Sequence, residues 1–339
     1  MTIQAINPNE MKALLSAIEK ADSILLFCHI SPDGDTIGSA LSLKMMLTRL
    51  QKRVTLVLDG IVPSNLFFLP DIYCFRKPED VAAQMAEGMD VALAIAVDVS
   101  CSDRMGAGES LFFQAAVTAQ IDHHQTNPGY AQINLIDGDA PATAILIERL
   151  RNALGLEIHK EEAICLYTAL STDTGNFVYE NTNAEAFLMM SRLMDAGLPL
   201  AQCSRTLFRR KEREFLALLT RVLPTLTFFC NGEIAGMQLS KADMKAAGVV
   251  GDYTEGIVDY AIDAAGVKMA YFARDAEDGA VKFSLRALSP CRVDTVAELF
   301  GGGGHALAAG CTLYAPMEEA VAQVQKALTA ARKGSFTGE

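Results

Sequence analysis

The first 196 residues alternate short apolar runs with segments of helical periodicity. The apolar runs predict buried strands over Ser23–Ile30, Val54–Leu58, Asp90–Val99 and Ala115–Ile121. The helical pattern predicts helices over Thr36–Leu50, Pro141–Leu154, Glu161–Leu170 and Asn183–Ala196. Near-continuous apolar strands that alternate with helices are typical of parallel sheets covered on both faces. We therefore predict an α/β fold in which residues 1–196 form a mostly parallel sheet covered by helices.

The pattern changes after the break at Gly197-Leu198-Pro199. A basic segment, Arg205–Arg213, is predicted to be a helical connector. Further strands are predicted over Thr225–Phe229, Glu233–Leu239, Lys268–Arg274 and Val281–Ala287, with a hairpin turn at Glu277–Gly279. Interleaved helices are predicted over Ser240–Ala247, Gly256–Ala265, Val293–Phe300 and Met317–Arg332. The expected organisation is a domain over 1–196, a linker helix over 197–213 and a smaller α/β domain over 214–335, with a cleft between the domains.

Charge and composition narrow the class of partner. The chain has 339 residues, 29 Lys plus Arg against 41 Asp plus Glu, and a net charge of −12. This balance disfavours a broad basic face for long nucleic acid but allows a short phosphorylated ligand held by a few cations. Eight separated cysteines without a Cys-x-x-Cys pair suit a reducing cytosol. With neither a signal-peptide pattern nor a run of about 20 apolar residues, we expect a cytoplasmic protein without a membrane partner.

Ionisable side chains concentrate where the predicted strands end. The segment His29–Asp35 (HISPDGD) follows the first strand, Asp98 follows the third, and Asp122-His123-His124 follows the fourth. Because ligands bind beyond the carboxyl ends of the strands in open α/β sheets, these groups are expected to meet at one edge. Asp173, at the end of a buried-looking helix, is a further candidate.

Taken singly, each of these segments has an ordinary explanation, as a surface turn, a helix cap or a packed histidine. Taken together, clustered carboxylates near apolar runs require neutralisation. Carboxylates mixed with imidazoles, without a thiolate, favour Mn²⁺, with Mg²⁺, Co²⁺ and Zn²⁺ as alternatives. Four aspartates match the charge of two divalent ions, a pairing that activates a bridging hydroxide for phosphoester hydrolysis.

Five motifs carry a resemblance to a known family. HISPDGD, VDVS, IDHHQTN and STDTGNF, in this order, resemble the four motifs of the DHH phosphoesterase superfamily. The later segment FGGGGHALAAG (Phe300–Gly310) resembles the signature of the DHH-associated C-terminal domain. The chain as a whole is similar to the bacterial branch of bifunctional oligoribonucleases and pAp phosphatases, the nanoRNases.

The resemblance implies a set of metal ligands and catalytic groups. One metal would be bound by His29, Asp33 and Asp98. The other would be bound by Asp35, Asp98, His123 and Asp173, with Asp98 bridging the two. Asp122 would orient His123, and His124 would contact the scissile phosphate or protonate the leaving oxygen. A purely structural histidine remains the alternative for His124.

A second group of candidates surrounds the glycine run in the last third of the chain. Bare backbone amides of Gly302, Gly303 and Gly304 can form an anion-binding nest, and His305 and Arg286 can add charge-assisted hydrogen bonds. A flexible turn after a helix is the ordinary alternative. In the resembling family this region holds a terminal substrate phosphate. Ser284 and Thr254 are weaker candidates, and Thr254 alternatively caps a helix.

These inferences predict a metal-dependent phosphoesterase. By resemblance, it hydrolyses oligoribonucleotides of two to five nucleotides and linear dinucleotides such as pApA to mononucleotides, and pAp to AMP. Long duplex nucleic acid is not expected as a partner, and a homodimer is a family-level expectation. Two alternatives remain. A family-two inorganic pyrophosphatase shares the N-terminal motifs but also requires a Ser-Arg-Lys-Lys-Gln motif, which is absent here. The other alternative is a catalytically inactive nucleotide-binding regulator.

Overall fold

The chain divides into two compact units between Arg210 and Lys211. The computed structural model describes residues 8–249, 253–276 and 279–334. Two residues of the predicted hairpin turn at Glu277–Gly279 therefore lie outside the described residues. The predicted division into 1–196, 197–213 and 214–335 stays a prediction.

A six-stranded parallel sheet forms the centre of the first unit. Its strands are β1 Ser23–Phe27, β2 Arg53–Val57, β3 Phe75–Arg76, β4 Leu93–Val97, β5 Val117–Asp122 and β6 Ile133–Ile136. They lie in the order β3-β2-β1-β4-β5-β6, and every neighbouring pair is parallel. The four predicted strands are present, and their ends differ from the predicted ones by at most three residues. The prediction of a mostly parallel sheet is confirmed.

Helices cover both faces of this sheet. They are α1 Pro8–Lys20, α2 Gly34–Arg49, α3 Pro78–Ala86, α4 Glu109–Phe112, α5 Thr143–Ala153, α6 Lys160–Asp173, α7 Ala184–Asp195 and α8 Leu200–Ser204. The larger core cluster joins α1, α2, α5, α6 and α7 to one face, and a smaller cluster around Phe27 and Phe112 fills the other. Two-sided burial explains the near-continuous apolar runs of the strands, such as the fully buried β4.

The strand order reverses direction between β1 and β4. The chain runs outward from β1 through β2 to β3, and it then returns to lay β4, β5 and β6 on the other side of β1. Beyond the carboxyl ends of two such strands the helices diverge and leave a crevice, which is where open α/β sheets bind ligands. His29 follows β1 and Asp98 follows β4, so both lie at this crevice.

Some elements were missed or differ from the pattern-based prediction. The short edge strands β3 and β6 and the helix α3 were not predicted, because brief edge elements carry little periodicity. The predicted basic connector helix is interrupted: Arg205–Arg209 forms a π-helical turn, and α9 begins only at Arg213. Within the described ranges, no helix combines the length and the apolar character needed to cross a lipid bilayer.

The second unit is built on a six-stranded mixed sheet. Its strands are β7 Thr227–Phe229, β8 Ile234–Leu239, β9 Met269–Asp275, β10 Val281–Ala287, β11 Gly303–His305 and β12 Ala308–Leu313. Their order is β11-β12-β10-β9-β8-β7, and only the pair β8–β9 is parallel. The helices are α9 Arg213–Val222, α10 Lys241–Ala246, α11 Asp259–Ile262, α12 Asp294–Glu298 and α13 Met317–Gly334. The prediction of a second α/β domain is confirmed, although β11 and β12 were missed.

The two faces of this second sheet differ in character. One face carries Phe283, Leu285 and Leu313 into a core shared with α12 and α13. On the other face, the apolar contacts of α9 and α11 lie over β8 and β9. Along β10 the burial alternates strictly, and Lys282, Ser284 and Arg286 share this second face. A polar surface therefore lies on the β10–β12–β11 side of the sheet.

Candidate metal centre

Three strand ends and two helix ends bring ionisable side chains together at the crevice of the first unit. His29, Asp98 and His123 follow β1, β4 and β5, which are neighbours in the sheet. Asp33 and Asp35 lie at the start of α2, and Asp173 is the last residue of α6. Ligand atoms of these residues form mutually close groups: His29, Asp33 and Asp98; Asp35, His123 and Asp173; and Asp98, His123 and His124. The six predicted metal ligands make up the first two of these groups, and the third group links them because it contains both Asp98 and His123.

The first group is arranged around His29, which is almost fully buried. Its Nε2 lies 3.7 Å from Asp33 Oδ2 and 3.7 Å from Asp98 Oδ2. Asp33 is held in place as the N-cap of α2, because its Oδ1 accepts the N–H groups of Asp35 and Thr36. Burial lowers the pKa of His29, but the two carboxylates outweigh burial and raise it to about 9. The helix cap therefore also directs the free carboxylate oxygen of Asp33 towards the imidazole.

Asp98 occupies the centre of the site. Its backbone has φ of 59°, a left-handed conformation that is rare for a residue other than glycine and that recurs at functional positions. This conformation turns the side chain back over the strand end. Asp98 Oδ1 lies 3.7 Å from His123 Nε2 and 3.7 Å from His124 Nδ1, while Oδ2 faces His29. Burial is the main cause that raises the pKa of Asp98 to about 6, and the hydrogen bond to His29 opposes it.

Asp35 connects the site to the start of another helix. It is completely buried, and its carboxylate accepts the N–H groups of Thr143 and Ala144 at the first turn of α5 and the hydroxyl of Ser39. Burial, followed by the charges of Asp98 and Asp173, raises the pKa of Asp35 well above its usual value. The helix terminus favours the charged carboxylate, but the neighbouring carboxylates disfavour it in the absence of a cation.

His123 presents one ring nitrogen to three carboxylates. Its Nε2 lies 3.0 Å from Asp173 Oδ2, 3.7 Å from Asp98 Oδ1 and 3.8 Å from Asp35 Oδ2. The other nitrogen, Nδ1, lies 3.1 Å from the carbonyl oxygen of Ala140, which can only accept a hydrogen bond. Burial lowers the pKa of His123, but the hydrogen bond to Asp173 and the nearby carboxylates raise it to about 10.

This arrangement fits a bound cation. In neutral His123 the bond from Nδ1–H to Ala140 leaves Nε2 with a lone pair directed at carboxylate oxygens, which is an unfavourable contact between acceptors. Asp35 and Asp98 are carboxylates buried next to one another, and their raised pKa values have the same origin. Divalent cations remove both penalties at once, because oxygen and imidazole ligands then point at positive charge.

Two glycines that the sequence analysis passed over allow the helices carrying Asp35 and Asp173 to approach each other. A Cβ at Gly34 would lie 2.3 Å from Thr172 Oγ1, and a Cβ at Gly38 would lie 2.4 Å from the carbonyl oxygen of Cys165. Helix α2 can therefore contact α6 directly only because it carries glycine at these positions. Their four-residue spacing on one helix face is the signal that could have revealed this close approach.

His124 and Asp122 form a separate hydrogen-bonded pair. Asp122 is fully buried, and its Oδ1 lies 2.8 Å from His124 Nδ1. The resemblance assigned Asp122 to the orientation of His123, and this assignment is wrong because His123 Nδ1 bonds to Ala140 instead. The hydrogen bond to Asp122 raises the pKa of His124, and burial opposes the rise. His124 thereby presents Nε2 away from the pair, with 39% of its side chain exposed.

The substrate-binding candidates lie in the second unit, on the polar face of its sheet. The strand register aligns His305 of β11 with Ala308 of β12, and Ala308 with Arg286 of β10. It likewise aligns Gly303 with Gly310, and Gly310 with Ser284. His305 and Arg286 therefore lie in one row of the same face, two strands apart, and Ser284 lies in the next row.

Arg286 has an acidic neighbour that the sequence analysis did not identify. Its Nε lies 3.2 Å from Asp259 Oδ1 at the start of α11. Burial raises the pKa of Asp259, and the positive charge of Arg286 partly opposes this. Thr254, a weaker candidate, accepts the N–H of Ile257 at its carbonyl oxygen in the turn before α11. Asp259 thus orients the arginine from the helix side of the sheet.

The predicted glycine nest contains glycines with different structural roles. A Cβ at Gly302 would lie 2.1 Å from the carbonyl oxygen of Gly310, and one at Gly304 would lie 2.6 Å from the carbonyl oxygen of Ala308. These two glycines are required for close packing on β12. A Cβ at Gly303 would meet nothing within 4 Å, and its φ is not positive. Packing therefore does not explain glycine at position 303.

Alanine substitutions should separate these roles. We expect Gly302→Ala to destabilise the second unit by about 1–3 kcal/mol, because the new methyl group would collide with backbone atoms. Gly303→Ala, the matched control, should change the free energy of unfolding by less than about 0.5 kcal/mol. Thermal and urea unfolding of both variants measures the difference, and equal losses would contradict these roles.

Comparisons with known proteins agree with this geometry. Residues 23–170 match the family model for the DHH family, N-terminal domain, and residues 234–333 match that for the DHHA1 domain. A bifunctional oligoribonuclease and PAP phosphatase NrnA from Thermus thermophilus is 32% identical over 300 residues, which cover 88% of this chain and 86% of that protein. The chain belongs to the DHH family. The recognition of this family from the five motifs is confirmed.

Other relatives of this DHH-family chain extend the comparison. The NrnA protein of Bacillus subtilis is 23% identical over 304 residues, covering 89% of this chain and 92% of that protein. An exopolyphosphatase-related protein from Bacteroides fragilis has a solved structure that superimposes with a TM-score of 0.88 and 27% identity. That superposition covers 98% of this chain and 99% of the other. A RecJ structure from Thermus thermophilus in complex with Mn²⁺, at 15% identity and a TM-score of 0.51, shares the fold.

The family and the site together establish the class of reaction. This DHH-family chain is a metal-dependent phosphoesterase and therefore a hydrolase. Its clustered carboxylates and imidazoles have the chemistry of a divalent-metal site. The predictions of a hydrolase and of a metal-dependent phosphoesterase are confirmed at this level.

Proposed function

We propose that the enzyme hydrolyses oligoribonucleotides of two to five nucleotides, including linear dinucleotides such as pApA, to mononucleotides, and pAp to AMP. The observation that carries this proposal is the cluster of six predicted ligands, in which Asp98 lies 3.7 Å from both His29 and His123. The activities named for the Thermus thermophilus and Bacillus subtilis relatives supply the substrate class. The net charge of −12 supports short substrates, because a binder of long nucleic acid needs many more cations.

Two divalent ions, preferably Mn²⁺, would be held by the six side chains. His29, Asp33 and Asp98 would hold one ion, and Asp35, Asp98, His123 and Asp173 would hold the other. Bound there, such ions lower the pKa of water and neutralise negative charge on phosphoryl oxygens. Asp98 would serve both ions, because its Oδ2 faces His29 and its Oδ1 faces His123. Mg²⁺, Co²⁺ and Zn²⁺ are the alternatives that the ligand chemistry allows.

The residues next to the ligands would orient and protonate the substrate. His124 donates Nδ1–H to Asp122, so its Nε2 is directed outward to contact a phosphate oxygen or to protonate the leaving oxygen. Asn127 also donates to Asp122 and thereby fixes the carboxylate that orients His124. Ala140 fixes His123 through Nδ1 in the same way. Hydrogen bonds on the far side of each imidazole thus determine where its reacting nitrogen points.

The polar face of the second unit would bind a phosphate at the end of the substrate. Arg286 and His305 lie in one row and can donate charge-assisted hydrogen bonds. Gly303 leaves room for a close approach to the backbone of the edge strand β11, and Gly302 and Gly304 hold that strand against β12. Ser284 lies in the same row as Gly303, with Gly310 of β12 between them. A substrate-binding role for Thr254, a cytoplasmic location and a homodimer remain predictions.

A product assay tests this function. The purified enzyme is incubated with Mn²⁺ and, separately, with pAp, pApA, a long single-stranded RNA and pyrophosphate. We expect pAp to yield AMP and phosphate, and pApA to yield mononucleotides, because the net charge of −12 favours short substrates. We expect little hydrolysis of the long RNA and of pyrophosphate. Preferential hydrolysis of pyrophosphate would establish the alternative enzyme class, and binding of pApA without products would establish a regulator.

A further inference from the structure

The second unit contains a cavity of about 560 Å³ beside strands β10 and β12. Among the residues that line it are Arg274, Lys282, Ser284, Phe300, Thr312 and Tyr314. The cavity also adjoins Gly302, so it borders the strand that carries His305. Its volume lies in the range of small-molecule sites. Apart from Ser284 and Gly302, its lining was not among the predicted site residues.

Strand register explains why cations gather in this cavity. Lys282 of β10 pairs with Arg274 of β9 on one side and with Thr312 of β12 on the other. Cross-strand partners project from the same face of a sheet, so two cations and a hydroxyl form one row. This row is two positions from that of Ser284 and four positions, about 13 Å, from that of Arg286. Cationic and hydroxyl side chains thus follow one another along the uncovered part of β10.

Aromatic rings complete the lining of the cavity. Tyr314 directly follows β12, and 80% of its surface is exposed. Phe300 follows α12 and is partly buried next to the glycine run. Exposed aromatic rings beside cations are characteristic of sites for single-stranded nucleic acid, where the ring stacks on a base and the cations contact phosphates. A site that bound only a phosphate group would need neither ring.

We propose that this cavity is a second nucleotide subsite, which binds a phosphate through Arg274 and Lys282 and stacks the attached base on Tyr314. This inference rests on the proposed function, because it assumes that Arg286 and His305 bind the terminal phosphate. The row of Ser284 lies between the two phosphate positions on β10. The ligand is therefore an oligoribonucleotide long enough to reach both rows, and pAp, with one nucleoside, is too short. The cavity gives the enzyme its preference for oligonucleotides over pAp.

Equilibrium binding tests this subsite without turnover. Fluorescence anisotropy with a labelled tetraadenylate in a chelator gives Kd for the wild-type enzyme, Lys282→Ala and Tyr314→Ala, and unlabelled pAp is measured by competition. We expect each variant to weaken tetraadenylate binding about tenfold, and to reduce the preference for tetraadenylate over pAp by a similar factor. Tyr314→Phe should restore the affinity, because it keeps the ring. Lys326→Ala, an equal loss of charge on the exposed side of α13, should have no effect.

The outcomes separate this inference from the proposed function. If the wild-type enzyme hydrolyses neither pAp nor tetraadenylate in Mn²⁺, the proposed function fails. If it hydrolyses both, but the variants change the two affinities equally or not at all, the subsite alone is overturned. If Lys282→Ala lowered the affinity for tetraadenylate but Tyr314→Ala did not, the cavity would be a site for phosphate or polyphosphate. This result would also overturn the nucleotide subsite.

Discussion

Asp98→Asn is expected to lose divalent-ion binding and to hydrolyse pAp at least about 10³-fold more slowly than the wild-type enzyme. The amide has nearly the shape of the carboxylate and keeps an oxygen for the hydroxyl of Thr143. It lacks the negative charge that Asp98 directs at His29 of one ligand group and at His123 of the other. Isothermal titration with Mn²⁺ measures the loss of binding, and release of phosphate from pAp measures turnover.

Asp195→Asn is the matched control for this variant. Asp195 ends α7 on the exposed surface, so the same change of side chain should leave both measurements unchanged. If Asp98→Asn bound two Mn²⁺ ions with wild-type affinity, Asp98 would not bridge them. Full turnover in that variant would reject the two-metal scheme as a whole.

Asp35→Ala is expected to lower the free energy of unfolding of the metal-free first unit by about 3 kcal/mol. The substitution leaves the N–H groups of Thr143 and Ala144 and the hydroxyl of Ser39 without their buried acceptor. Relief of the repulsion between Asp35 and Asp98 offsets part of the cost. A loss of this size corresponds to a fall of about 6–12 °C in Tm, measured by thermal unfolding in a chelator.

Asp173→Ala provides the contrast. Its carboxylate contacts His123 and is partly exposed, so its removal should cost less than about 1 kcal/mol in the same assay. Both variants should nevertheless lose Mn²⁺ binding. Asp35→Asn, which keeps one oxygen acceptor, should fall between them in stability. Equal stability of Asp35→Ala and Asp173→Ala would show that Asp35 does not support the start of α5.

The arrangement around the metal centre links the fold to the chemistry. Asp33 caps α2, Asp35 accepts the first N–H groups of α5, and Asp173 ends α6. The carboxylates of Asp33 and Asp35 therefore accept hydrogen bonds from helix groups as well as facing the site, whereas that of Asp173 contacts His123. Helix ends position these groups within a fraction of an ångström, which is the precision that a metal site requires.

One misassigned contact could have been avoided from the sequence. Asp122 was assigned to His123, but it binds His124. Side chains at positions i and i+2 of an extended chain project to the same side, whereas neighbours project to opposite sides. Asp122 and His124 stand in that relation at the end of β5. The alternation of side-chain directions along β5 therefore also predicts the contact between Asp122 and His124, if the alternation is continued two residues past the end of the strand.

The strands, the parallel sheet and the edge at which His29, Asp98 and His123 meet followed from the sequence. The reason is that apolar runs and polar strand ends are local patterns, and parallel strands place their carboxyl ends together. Which side chains then touch was decided by the tertiary structure. The contact of α2 with α6, the strained backbone of Asp98 and the pairing of β11 with β12 depend on residues far apart in the chain. No local periodicity encodes such approaches, because they arise only when the elements pack.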